Sequence, residues 1–245
     1  MSFILFLLAH LLGDFTFQPK ILVEMKKQRI GYQIMHSAIY AVLFMLVIVM
    51  FEDFPTTVLL TASVFIIHFI IDFLRIKSDN ETKSQGNHFM SFILDQVIHI
   101  IIVIIVNFII GDFNETGLEF LFKIADLTGV NNLYSIMLIV LAYIIILSPA
   151  SVFIEYFSNY YFEIDEGETT TKRIGSLIGK LERILILTLG LMGYYLAIGL
   201  VLTAKSIARF KQLDNKDFAE KYLVGTLLSL IFAVICIAVV NLAIR

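Results

Sequence analysis

Tryptophan is absent from this 245-residue chain, cysteine occurs once, proline three times, and only 16% of the residues are charged. A lone Cys236 can form no intrachain disulfide, which excludes a disulfide-stapled scaffold. Ordinary soluble domains are about 25% charged and roughly 45–50% apolar. Here 59% of residues are hydrophobic and the mean hydropathy is +0.89. That departure excludes a water-soluble globular enzyme and a disordered chain. Cations are not in excess either: 18 Lys and Arg against 21 Asp and Glu leave a formal charge of -3. A surface that tracks phosphates along a polymer needs a basic excess, so no nucleic-acid partner is expected. Residues 1–12 lack the basic n-region and cleavage pattern of a secretory signal, and are expected to belong to the mature chain.

What the chain has instead is long apolar runs. A helix needs about 20 such residues to cross the hydrocarbon core, and in lipid only helices and closed barrels satisfy every backbone group. The runs lack the short alternation of a barrel strand. They predict an all-α, polytopic transmembrane helical bundle with about seven segments, at 2–17, 33–51, 56–76, 89–110, 133–157, 184–204 and 223–243. The first is short, which suits a tilted, re-entrant or partly spanning element. The domains expected are an N-terminal four-helix membrane domain at 1–110, an external interfacial segment at 111–132, and C-terminal membrane helices at 133–245 with a polar loop at 158–183.

Loop charge orients the segments. Lys20, Lys26, Lys27 and Arg29 mark the first loop as cytoplasmic, whereas Glu52 and Asp53 mark the second as external. Arg75, Lys77 and Lys83 return the chain to the inside, and Asp112, Glu115, Glu119 and Asp126 suit an external stretch with a short interfacial helix. The second half breaks the pattern, because seven crossings put the basic run Lys205, Arg209, Lys211, Lys216 and Lys221 outside. Either a C-terminal element is re-entrant or interfacial, or the charge signal is weak there. The acidic stretch Glu163, Asp165, Glu166 and Glu168 marks a boundary between the two parts.

All five histidines lie within the first 99 residues, and three segments carry a histidine and an aspartate four apart: His10 with Asp14, His68 with Asp72, and Asp95 with His99. That spacing puts both members on one helical face. Ionisable groups in lipid are costly and must face the bundle interior. At about 1.5 Å per residue all six, with His36, fall in the cytoplasmic half of the membrane, where they can converge; His88 sits at a helix mouth. Imidazole plus carboxylate without thiolate suits a divalent transition metal, zinc first, with manganese or iron as alternatives. The set is large enough for two ions, or for one with carboxylates orienting the imidazoles. A metal-free, proton-linked site and purely structural His–Asp pairing are the competing readings.

The metal ligands expected are thus His10, Asp14, His68, Asp72, Asp95 and His99, with Asp95 or Asp14 as general base and His36 as acid or ligand. Gln18, Lys26, Gln96 and Glu182 are candidates for supporting or substrate contacts. Lys26 is either a partner for an anionic head group or a solvated loop charge. Gly175, Gly179, Gly190, Gly193 and Gly199 read as points of close helix approach, or as part of a homodimer face. The chain contains neither the HExxH helix of a zincin nor a phosphate-binding loop.

The motifs HLLGDFTFQ (10–18), His36, HFIID (68–72) and LDQVIH (94–99), with GSLIGKLERILIL (175–187), AIGLVLTAKSIARF (197–210) and AEKYLVGTLLS (219–229), resemble an uncharacterised bacterial multi-pass membrane protein family, domain of unknown function 3307. The resemblance implies a multi-pass protein of the bacterial inner (cytoplasmic) membrane and carries no activity. The chain is also loosely similar to membrane-bound metal-dependent hydrolases, without a clear version of their aspartate–histidine and histidine–serine arrangement. The function expected is a membrane-embedded metal-dependent hydrolase working on a lipid-linked or membrane substrate from the cytoplasmic side. The alternatives are a metal- or proton-coupled transporter and a non-catalytic sensor or scaffold.

Overall fold

The computed structural model describes residues 1–81, 85–111, 119, 122–123, 132–162 and 169–244. The described residues are almost entirely helical and contain no strand. Five helices are long and apolar enough to cross a membrane, and six if a bent N-terminal pair counts as one. The protein is therefore an all-α, polytopic membrane bundle. It divides into two compact units, Met1–Met137 and Leu138–Arg245. The expected interfacial helix around Asp112, Glu115 and Asp126, the loop cation Lys83, and the acidic stretch from Glu163 to Glu168 lie outside the described residues.

In the first unit, α1 (Ser2–Leu11) runs into a π-helical turn, Leu12–Thr16. The turn closes with the Phe17 N–H donating to the Leu12 carbonyl at 2.8 Å, five residues back. Pro19 is extended and starts α2 (Lys20–Gln28), which leaves the preceding segment at 76°. The short first segment thus ends in a sharp bend. Arg29 is extended as well and separates α2 from α3 (Ile30–Ile48). Next come α4 (Phe54–Glu81) and α5 (Gln85–Gly111). Asp53 caps α4 by accepting from the Thr56 N–H at 3.0 Å. The Thr56 side-chain and backbone donors hold the Asp53 carboxyl below the usual carboxylate range.

α1 packs on α3 and α5, and α4 packs on both. Phe6 meets Phe44 and Phe51, with ring centroids 5.9 and 6.4 Å apart, so the start of α1 lies against the end of α3. Ile48, Val64, Val103, Val106 and Ile110 complete this apolar layer. The polar residues of the same helices lie toward their other end. Outward faces carry exposed apolar side chains such as Ile66, Ile70, Ile101, Ile104 and Phe108, which suits contact with lipid.

The second unit contains α6 (Leu133–Leu147, within which the division falls), α7 (Pro149–Tyr161), α8 (Thr169–Leu191), α9 (Tyr195–Ala208), a 3₁₀ turn at Phe210–Gln212, and α10 (Lys216–Ile244). Pro149 breaks the span at 133–161, because proline cannot donate to the helix ladder. The carbonyls freed nearby are satisfied by side chains. Arg183 Nε donates to the Ile146 carbonyl at 2.7 Å, and Ser151 Oγ to that of Leu147 at 2.8 Å.

The segment at 184–204, expected as one span, is instead cut in two. α8 ends at Leu191, Gly193 takes φ +79, and α9 runs back along α8. The pair Glu182 and Lys205, almost equally far from Gly193 in sequence, form an ion pair across the resulting hairpin. Hydropathy sees only a continuous apolar run and is blind to such a reversal. Among the glycines expected to allow close approach, Gly190 does so, since a Cβ there would collide with Ile237. Gly175 and Gly199 face open space.

Candidate metal centre

Four elements of the first unit deliver the polar residues. The α1 end and its π-turn bring His10 and Asp14, α3 brings His36, α4 brings His68, and α5 brings Asp95 and His99. All four imidazoles are buried, and the Asp14 side chain is nearly so. π-turns inside helices recur at functional sites because they displace one side chain from the regular ladder. Here the element is further pinned by Gly13: a Cβ at that position would sit 2.8 Å from Tyr40 Cδ2, so only glycine lets the turn approach α3.

Nε2 of His36, Nε2 of His68 and Oδ1 of Asp14 form a triangle with edges of 3.1, 3.3 and 3.6 Å. An ion bound tetrahedrally at about 2.0–2.1 Å requires ligand atoms roughly 3.3 Å apart. Asp14, Asp95 and His99 form a second grouping whose ligand atoms lie within 4.8 Å of one another.

Hydrogen bonding decides which ring nitrogens are free. A backbone carbonyl can only accept, so His99 Nδ1, 2.8 Å from the Asp95 carbonyl, carries a proton. In the neutral ring its Nε2 is then an acceptor, and His68 Nδ1, 2.8 Å away, donates to it. That leaves His68 Nε2 with a lone pair, aimed into the triangle. The relay from backbone to His99 to His68 is the kind of outer support that fixes the tautomer of a metal-ligating histidine.

A family model described as protein of unknown function (DUF3307) matches residues 2–128, more than half of the chain and all of these side chains. The chain belongs to this family. No curated protein and no solved structure matches it. The C-terminal motifs at 175–187, 197–210 and 219–229 lie beyond the matched residues of this DUF3307 protein.

The DUF3307 region also contains a supporting set. Asp95 Oδ2 accepts from Arg75 Nη1 at 2.9 Å and from Gln96 Nε2 at 3.0 Å, and Gln96 reaches Asp14 Oδ2 at 3.3 Å. The other Asp95 oxygen, Oδ1, is buried and accepts no hydrogen bond, with His99 Nδ1 at 3.5 Å. Tyr40 stacks on His68 with centroids 3.8 Å apart, and its hydroxyl lies 3.1 Å from His10 Nδ1.

Several expected residues take other places. Asp72 shares a face with His68, yet both its oxygens lie 2.8 Å from Lys26 Nζ, so the structure puts it outside the ligand groupings. Lys26 is correspondingly buried and not a solvated loop charge. With its amide turned to satisfy both ends, Gln18 donates to the Asp14 carbonyl at 2.8 Å and accepts from Lys26. His10 stands beside the groupings, 3.9 Å from Asp14, stacked on His99 at 5.5 Å between centroids. His88 pairs with Asp79 at 3.3 Å. Glu182 belongs to the second unit and its own cluster with Lys205. Tyr40, Arg75 and Gly13 were missed in the sequence. Tyr40 follows His36 by four residues and so shares its face, a signal that was available; Gly13 and Arg75 had none beyond proximity to Asp14 and Asp72.

Proposed function

We propose that the N-terminal unit binds one divalent transition ion, zinc first, and that the protein is a metal-dependent hydrolase of a lipid-linked or membrane-embedded substrate. The observation that carries this reading is the Asp14–His36–His68 triangle, with edges suited to a tetrahedral ion and one corner held in the ligating tautomer. Three protein ligands with a fourth position open is the catalytic zinc pattern, and manganese or iron suits the same donors. One ion is favoured over two, because both His99 nitrogens are already committed, to the Asp95 carbonyl and to His68. Such an ion supplies Lewis acidity and a lowered pKa for water at the site.

The chain's own groups divide the remaining work. Asp95, fixed through Oδ2 by Arg75 and Gln96, presents its bare Oδ1 as the general base. His10, near Asp14, is held by Tyr40. The apolar layer around Phe6 and Phe44 keeps water out from the far end of the bundle. Exposed Lys27, Arg29 and Lys77 flank the site's own end, which the positive-inside rule assigns to the cytoplasm of a bacterial inner membrane. In the second unit, the α8–α9 reversal returns the chain to Glu182 before the basic 205–221 segment, which supports the reading that no seventh crossing precedes it.

Protein purified in mild detergent without chelator is expected to carry near-stoichiometric metal by elemental mass spectrometry, and His36→Ala with His68→Ala to lose it while keeping its helical circular dichroism. The loaded protein is then expected to hydrolyse phospho- or acyl esters presented in mixed micelles. Absence of metal in the wild type, even after incubation with zinc, overturns the reading. A transporter is the second reading, favoured by the buried Glu182 paired with Lys205 across the α8–α9 hairpin. Metal or proton flux in sealed vesicles without ester turnover would select it.

A further inference from the structure

An open groove of about 380 Å³ lies between the end of α2, the start of α3 and the end of α4. Its lining includes Lys26, Lys27, Arg29 and Lys77, against one acid, Glu81. Lys26 is neutralised by Asp72. Lys27, Arg29 and Lys77 are exposed and have no anionic partner within 4 Å among the described residues. The groove thus presents uncompensated positive charge at the end of membrane-spanning helices, where phospholipid phosphates lie.

Two further observations place the groove. Gln33, buried in its wall, donates through Nε2 to the Lys26 carbonyl at 2.9 Å and so ties the end of α2 to the start of α3. The groove also adjoins the metal centre. Lys26 in its lining holds Asp72, which is one turn from the ligating His68.

We propose that this groove binds the phosphate of an anionic lipid head group. Lys27, Arg29 and Lys77 hold the phosphate. This deepens the hydrolase reading and rests on it for the groove's role as a substrate subsite. The binding itself does not depend on the metal.

The test uses the full chain in nanodiscs, with a fluorescent phosphatidylglycerol analogue as the bound probe. Phosphatidylglycerol is expected to compete the analogue away far better than phosphatidylcholine. At about 1 kcal/mol per cation near an anionic head group, each single replacement Lys27→Ala, Arg29→Ala or Lys77→Ala weakens binding about fivefold, and the triple variant on the order of a hundredfold. Folding of each variant is checked by circular dichroism. Glycerol phosphate in detergent, bound equally well and lost in the triple variant, assigns the site to a soluble phosphate ester. Equal binding of both lipids, or an unchanged triple variant, overturns the proposal. Retained lipid selectivity in a protein that binds no metal overturns the hydrolase reading alone.

Discussion

His99 offers the sharpest test of the metal centre, because it supports the site without ligating. Its Nδ1 donates to the Asp95 carbonyl and its Nε2 accepts from His68 Nδ1, both at 2.8 Å. Replacing it with leucine keeps an apolar side chain of moderate size in the same buried position. It also leaves the His68 Nδ1–H without an acceptor, at about 1–3 kcal/mol. His68 can escape that cost by moving its proton to Nε2, which removes the lone pair from the triangle. Metal affinity therefore falls by roughly 10–100-fold, the range seen when the partner of a metal-bound histidine is removed. His36→Ala removes a ligand outright and is expected to cost more. Asp72→Asn leaves the triangle's donors in place and is expected to cost less.

The assay is competition of the apo protein in detergent against a chromophoric zinc chelator, at fixed pH, for wild type and the three variants. The ordering His36→Ala, then His99→Leu, then Asp72→Asn in loss of affinity is the expected result. Unchanged affinity in His99→Leu, alongside a real loss in His36→Ala, would refute the tautomer relay. Equal losses in all three would refute the triangle as the ligand set.

Four other outcomes follow from the same geometry. Gly13→Ala places a methyl 2.8 Å from the Tyr40 ring, which stacks on His68, so about 1–3 kcal/mol of stability should be lost, and metal affinity with it, measured by denaturation in detergent and zinc competition. Asp72→Asn strands the buried Lys26 ammonium and should destabilise by about 3–5 kcal/mol, with Lys26→Met in the same chain restoring much of it; no rescue would mean the pair is not coupled. Acidification should release the ion, since each ligating imidazole must be neutral, and equilibrium dialysis across pH reads this directly. Cysteines placed in a Cys236→Ala background at positions 160 and 211 should label from the same side of sealed vesicles, whereas a single crossing by 184–204 would put them on opposite sides.

The histidines and aspartates of the site were legible from spacing and lipid alone, but their partners were not. Placing i and i+4 on one face correctly sent His10, Asp14, His68, Asp72, Asp95 and His99 inward. The rule is silent on partners, and the aspartates find theirs on other elements. Asp14 turns to His36 and His68 on two other helices, and Asp72 goes to Lys26. Helical periodicity fixes a direction on one cylinder and carries nothing about which neighbour stands opposite. The buried place of Lys26 was out of reach for a related reason. Its loop charge looked solvated, but the 76° bend after the first segment lets α2 pack on α3 and brings Lys26 to Asp72 of α4.

The C-terminal half failed the sequence reading at one residue. Gly193 is the one described position with a positive φ, and an L side chain would be strained there. Windowed hydropathy averages over such a point and returns a span, which then forced an extra crossing on everything after it. The loop charges already contradicted that crossing, and the contradiction was the stronger signal. Charge bias integrates over whole segments, whereas a chain reversal in lipid needs only one left-handed residue and a way to satisfy the groups it exposes. The structure provides that within the turn, where the Gly193 and Tyr194 N–H groups donate to the Gly190 and Leu189 carbonyls at 3.1 and 2.8 Å, while Lys205 on Glu182 and Thr226 ties the open end of the hairpin. Arg183 meanwhile donates to the Ile146 carbonyl beside the Pro149 break. Where composition and charge disagree in a membrane chain of this kind, the glycine inside the apolar run is the place to look for the reversal.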